Sequence, residues 1–172
     1  MQKIFSYPLA VDDISVAEKK YQIKANAEQC RQIAEILKVP EVKTFEANIY
    51  TRRHNKSSLI DVWGNVESLI SRQSVISLEY FDKKYQAEFE LQFDINLTEN
   101  QVRAMEEEGV ENIPDVVMDG KIDLCHLAME QIALELDDYP RKEGEKFVFK
   151  SEFDTQNDSK ENPFKILEQL KK

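Results

Sequence analysis

An α+β fold is what this chain predicts: an antiparallel, twisted sheet, or one partly closed into a β-barrel. Two main helices should pack on it, and a short helix should follow at the C-terminus. Three observations lead there. Alternating apolar and polar residues recur over long stretches between positions 45 and 93, the period-two signature of half-buried strands. Two other segments space their apolar residues three and four apart, as amphipathic helices do. Of the 172 residues, 41% are apolar and 33% charged, enough for one core under a well-solvated surface.

The elements follow in chain order. Tyr21, Ile23 and Ala25 alternate with polar residues and read as a short strand. Asn26 then caps a helix over about 27–38, with Gln29 three residues on completing a capping box. Cys30, Ile33, Ala34 and Leu37 form its apolar side, and Pro40 lies beyond its stop. Phe45, Ala47 and Ile49 alternate next, before a polar turn from Arg52 to Ser57. Ile60, Val62, Gly64, Val66, Ser68 and Ile70 read as one long strand, with Gly64 marking a bulge or bend. Tyr85, Ala87, Phe89, Leu91 and Phe93 make another.

Residues 96–121 lose this periodicity. A short helix near 98–107 and then a mobile acidic loop are expected. Asp123 caps a further helix whose buried stripe draws on Leu124, Leu127, Ala128, Ile132 and Leu136, ended by Tyr139-Pro140. Phe147 and Phe149 suggest one more strand. Residues 151–162 are polar enough to be disordered, and Pro163 can open a terminal helix carrying Phe164, Leu167 and Leu170. The domain expectation is thus one α+β domain over 1–150, with an acidic insertion at about 96–121, then a polar linker and helix over 151–172.

The net charge of -10 has an address. Residues 99–138 hold 12 acidic side chains against 2 basic ones, and the rest of the chain is close to balanced. That opposes nonspecific binding to nucleic acid or an anionic membrane without excluding a local basic patch, and neither DNA nor a membrane is an expected partner. The acidic block reads as a solvated face or as a docking surface for a basic protein, with Glu106, Glu107 and Glu108 as candidates. Two basic clusters stand against it: Arg52, Arg53, His54 and Lys56, and then Arg141 and Lys142 after Tyr139. They read as solvated turns or as contacts to an RNA backbone, where a neighbouring exposed aromatic such as Tyr139 can stack on a base.

Catalytic and metal chemistry finds no support in the motifs. A metal site needs several converging His, Cys or carboxylate ligands, and the two histidines, His54 and His126, stand far apart in sequence. Four glycines leave no phosphate-cradling loop, and no nucleophile elbow is present. No enzyme activity, cofactor or metal is therefore expected. Cys30 and Cys125 lie in helix-like patterns and read as buried thiols. No apolar run approaches a membrane span, and the first residues lack a secretory pattern, so a cytoplasmic protein is expected.

Three segments together resemble one family: Ser74-Val75-Ile76-Ser77-Leu78-Glu79, the stretch from Asp123-Leu124 to Tyr139-Pro140-Arg141-Lys142, and Asn162-Pro163-Phe164-Lys165-Ile166-Leu167. In this order they look like the YceD family of large ribosomal RNA subunit accumulation proteins, in its alphaproteobacterial form, with similarity over nearly the whole chain. The resemblance implies a bacterial factor for large-subunit (23S) ribosomal RNA accumulation and ribosome assembly, with that RNA or a ribosomal protein as partner. Many members carry Cys-x-x-Cys, or one of its cysteines, where this chain has Ser74 and Ser77. Serine hydroxyls cannot replace thiolates as soft metal ligands, so no zinc or redox role is expected there, and both serines are expected in an ordinary strand. Two other readings stay open: an acidic adaptor that docks a basic ribosomal protein without touching RNA, and a small-ligand carrier if the sheet closes into a barrel.

Overall fold

Three long strands form an antiparallel meander at the centre of the computed structural model, which describes residues 5–146. They are β3 (Glu41–Arg53), β4 (Leu59–Gln73) and β5 (Tyr80–Asp94). Their register aligns the alternating apolar residues into rows. Ala47 faces Val66, which faces Ala87; Ile49 faces Gly64, which faces Phe89; Thr51 faces Val62, which faces Leu91. A one-residue slip would send every one of these side chains to water, so burial fixes the register.

Strand β2 (Lys19–Lys24) pairs antiparallel with β3 and forms one edge. The other edge is β6 (Asp115–Val116), which pairs parallel with Phe93 and Asp94 of β5. The sheet order β2-β3-β4-β5-β6 is therefore open, and the barrel alternative does not hold. A separate two-stranded sheet joins β1 (Pro8–Ala10) to β7 (Lys121–Asp123).

Helix α1 (Ala27–Leu37) starts as its sequence predicts. The Gln29 N–H donates to Asn26 Oδ1 at 2.9 Å, and the Asn26 N–H donates back to Gln29 Oε1 at 2.8 Å. It ends where Lys38 takes a left-handed conformation, with φ 54°. Cys30, Ile33 and Ala34 turn inward, and the helix packs on β3. Helix α2 (Glu99–Glu107) has no buried residue, and the Thr98 N–H donates to Gln101 Oε1 at 3.0 Å at its start.

Helix α3 (Leu124–Glu135) is more deeply set, burying Leu124, Cys125, Leu127, Ala128, Met129 and Ile132. It packs on β4 and β5 and touches α1. Both core helices thus cover one face of the sheet, and one apolar cluster joins them to its inward residues. Cys30 and Cys125 are buried free thiols in that cluster. Burial raises the Cys30 thiol and, with Asp123 nearby, pushes Cys125 to about 12.

Several expectations need correction. Arg52 and Arg53 belong to β3, so the turn is confined to residues 54–58. Gly64 makes no bulge: the ladders run through it on both sides, and the register shift lies between Val42 and Thr44. There the Thr44 side chain accepts from the Leu69 N–H at 3.3 Å, and its carbonyl accepts from Ser68 Oγ at 2.7 Å. Beyond α2 the chain re-enters the fold through β6 and β7, so the stretch expected to be a loop contains paired strands. Helix α3 stops at Glu135, four residues before Tyr139.

Two compact units divide the chain, Met1–Lys142 and Glu143–Lys172. The expected strand at Phe147 and Phe149, the polar stretch 151–162 and the terminal helix from Pro163 lie outside the described residues.

Candidate interaction site

The β4–β5 connection and the segment after α3 are bound into one structure. Ser74 is fully buried, and its Oγ accepts from the N–H groups of Ile76 (3.1 Å) and Ser77 (3.3 Å). Residues 74–79 are thus a tight turn, closed by Ser74 N–H to Glu79 O at 2.9 Å, with Leu78 at φ 62°. The expected ordinary strand is wrong here, because the small buried hydroxyl satisfies the turn's own amides.

The segment after α3 is hydrogen-bonded both to this turn and to the strands β4 and β5 that flank it. Val75 N–H donates to Pro140 O at 2.9 Å, and Arg72 Nη2 donates to Asp137 O at 2.7 Å. The Asp137 carboxylate accepts from Lys83 Nζ at 2.6 Å and from the Tyr85 hydroxyl at 2.9 Å. Lys83 holds the Asp137 carboxyl below its ordinary range; burial opposes this, and the Tyr85 hydrogen bond and the nearby Arg72 charge add to the drop. Burial and the Asp137 hydrogen bond push the Tyr85 phenol up to about 12.

This clamp sets the second basic cluster. Pro140 is buried as an anchor while Tyr139, before it, is 75% exposed. Arg141 is exposed, and Lys142 Nζ reaches Glu79 Oε2 at 3.1 Å. Val75, Leu78 and Tyr80 are exposed on or beside the same turn. The cluster therefore sits beside exposed apolar and aromatic side chains, the combination that suits unpaired RNA.

The first basic cluster lies at the opposite end of β4, roughly 45 Å away at the rise of an extended strand. Arg52 is already engaged there. Its Nη2 meets Asp61 Oδ2 at 3.1 Å, and its guanidinium lies 5.5 Å from the Trp63 ring centroid. His54 Nε2 shares the same Asp61 oxygen at 2.7 Å. Burial alone would raise the Asp61 carboxyl; hydrogen bonds from Gln92, Arg52 and His54 outweigh it and hold the group low. Lys56 is exposed in the turn with φ 55°. The two basic clusters are thus not one patch.

Arg52 also marks the outer face of the sheet, which the sequence motifs do not single out. Tyr50 stacks on Trp63 across β3 and β4, with centroids 5.8 Å apart and planes at 14°. Lys20 Nζ lies 5.6 Å from the Tyr50 centroid. These residues alternate with the buried ones, so the signal that could reveal them is the same period-two pattern, taken on its outward side.

Glu106, Glu107 and Glu108 are exposed at the end of α2. Asp123, in the same acidic block, is structural. Its carboxylate accepts from the N–H groups of Tyr7 and Cys125 at 3.0 Å and of His126 at 3.1 Å, and also from the Ser6 hydroxyl. Burial would raise this carboxyl, and those four donors hold it below the usual range instead. Among the described residues no cluster of His, Cys, Asp and Glu could hold a metal ion, and no helix is long and apolar enough to cross a membrane.

The class these features define is an α+β protein with an open sheet, helices on one face and a clamped β4–β5 turn. Residues 62–171 match the family model described as "Large ribosomal RNA subunit accumulation protein YceD", and the chain belongs to that family. The match holds the 74–79 turn, α2, α3 and the 136–142 segment, and it leaves β1, β2, α1 and β3 outside. The resemblance expected over nearly the whole chain is thus narrower, and Arg52, Arg53 and Lys56 fall outside it. No curated protein and no solved structure matches the chain.

Proposed function

We propose that this protein is a non-catalytic cytoplasmic factor that supports accumulation or processing of large-subunit ribosomal RNA, and through it ribosome assembly. The observation that supports this reading is the family match over 62–171. RNA contact is assigned to Tyr139, Arg141 and Lys142 at one end of the sheet and to Arg52, Arg53 and Lys56 at the other. The first group is favoured, because Tyr139 and Arg141 are exposed side by side while Arg52 is held by Asp61.

A salt series of binding to large-subunit ribosomal RNA tests the assignment. Removing one phosphate-binding cation should flatten the dependence of log affinity on log salt by about one unit. Arg141→Ala/Lys142→Ala should weaken binding and flatten the slope by about two, with a smaller effect from Arg52→Ala/Arg53→Ala. Unchanged affinity in both pairs would remove these residues from the RNA interface.

The acidic block favours a second reading, an adaptor that docks a basic ribosomal protein. Isolating the protein's partners with and without nuclease separates the two. Partners released by nuclease point to RNA, and partners retained point to the adaptor.

A further inference from the structure

A cleft of about 570 Å³ opens between the β5–β6 edge of the sheet and α3. Its floor is apolar, built from Leu91, Phe93, Val116 and Leu127, with the 60% exposed Met118 at its mouth. Its rim is acidic, contributed by Asp115, Asp119, Asp123 and Glu130 against Lys121. Two of these acids are already occupied: Asp123 caps α3, and Glu130 meets His126 at 3.2 Å. The Asp115 and Asp119 carboxylates have neither a hydrogen bond nor an ion pair among the described residues. Burial raises the Asp115 carboxyl, with no donor or cation opposing it. Both aspartates are exposed, so a cationic group entering the cleft meets two carboxylates that no described side chain has engaged.

We propose that this cleft docks a basic polypeptide segment that places an arginine or lysine against Asp115 and Asp119 and an apolar side chain on Leu91, Phe93 and Met118. The occupant is argued from charge complementarity: the cleft draws on residues 99–138, where acids outnumber bases 12 to 2. An RNA strand would meet unpaired carboxylates there, which excludes it on the same ground. This rests on the adaptor reading and moves its centre from Glu106, Glu107 and Glu108 on α2 to the β6–α3 cleft. A hydrophobic anchor ringed by charge gives both affinity and orientation, which an exposed glutamate run alone does not.

The test uses the full chain and a synthetic peptide alternating arginine and leucine, followed by fluorescence anisotropy at two salt concentrations. Asp115→Asn/Asp119→Asn should weaken binding about tenfold, and Met118→Ser about threefold, since one methionine side chain buried in part contributes under about 1 kcal/mol. Glu106→Gln/Glu107→Gln/Glu108→Gln removes more charge but should change affinity less than about twofold. If that triple variant weakens binding as much as the cleft variants, the attraction is diffuse and the proposal falls. Asp115→Asn should leave the unfolding midpoint unchanged or raise it, so that weaker binding cannot be ascribed to misfolding. A photo-crosslinking residue at position 118 should capture the peptide; capture of residues 147–172 of the same chain, or of a second copy, would overturn the proposal. None of these outcomes bears on ribosomal RNA accumulation, so the cleft and the family-based reading fail separately.

Discussion

Gly64→Ala should be among the most damaging single-methyl additions to this protein. A Cβ built at Gly64 would stand 2.1 Å from the carbonyl oxygen of Asn48 and 3.0 Å from Ile49 Cα, both backbone atoms of the neighbouring strand. No side-chain rotation relieves such a clash. Restoring even a tight separation means moving β3 and β4 apart by about 1 Å, which stretches ladder hydrogen bonds of ordinary length beyond usefulness. Losing two such bonds costs about 1–3 kcal/mol. The displaced core around Ile49, Val62 and Val66, all buried, adds about 1–3 kcal/mol of overpacking. A total of about 2–6 kcal/mol is a large share of the stability of an ordinary domain. Urea unfolding can be followed through Trp63, the single tryptophan, which stacks on Tyr50 beside this site. At a slope of about 2 kcal/mol per molar urea, the midpoint should fall by about 1–3 M. A shift below about 0.3 M with the slope unchanged would refute the close approach of β3 and β4 and the register built on it.

Three further outcomes are expected. Thr51 is fully buried and its Oγ1 finds no hydrogen-bond partner among the described residues, so Thr51→Val should raise stability by about 1 kcal/mol in the same urea assay. Asp123 has a depressed folded carboxyl, so its contribution is complete above the unfolded value near 4 and declines as pH falls through the folded value. Stability measured from about pH 6 to about pH 3 should therefore fall less steeply for Asp123→Asn, while Asp123→Ala should cost about 1–2 kcal/mol at neutral pH through removal of the cap. Asp137→Ala removes the acceptor of Lys83 and Tyr85; the Val75 amide, bonded to Pro140, should then exchange with deuterium several-fold faster. Unchanged protection at Val75 would mean that the clamp does not depend on that carboxylate.

The parts of the fold written in side-chain period are legible in the sequence. Alternation at Phe45–Ile49, Ile60–Ile70 and Tyr85–Phe93 announces the meander, and Asn26 with Gln29 announces the start of α1, because a capping box is local chemistry. What stays hidden depends on neighbours distant in sequence. β6 is only two residues long, and β7 and β1 only three; no period can emerge from so few positions. The role of Gly64 depends on Asn48 across the ladder, so a bulge and a close approach look alike in sequence. The 74–79 turn resembles strand because Val75, Ile76 and Leu78 favour strands, yet Ser74 turns the chain by accepting its own neighbours' amides.

The candidate site divides in the same way. Tyr139, Arg141 and Lys142 are identifiable from their adjacency, but only the structure shows Pro140 pinning them to the β4–β5 turn. Arg52 and Arg53 look in sequence like part of one basic turn, yet they sit on β3, where Asp61 already pairs with Arg52. The cleft has no sequence signature because its apolar floor comes from β5, β6 and α3, while its unpaired acids, Asp115 and Asp119, look like loop residues in a charge run.

The most direct test of the central claim is the ratio of large to small ribosomal subunits, read from a sucrose gradient of cells lacking this protein. A factor that supports large-subunit ribosomal RNA predicts a deficit of large subunits, with the ratio restored when the intact chain is supplied. A normal ratio in those cells would contradict the account.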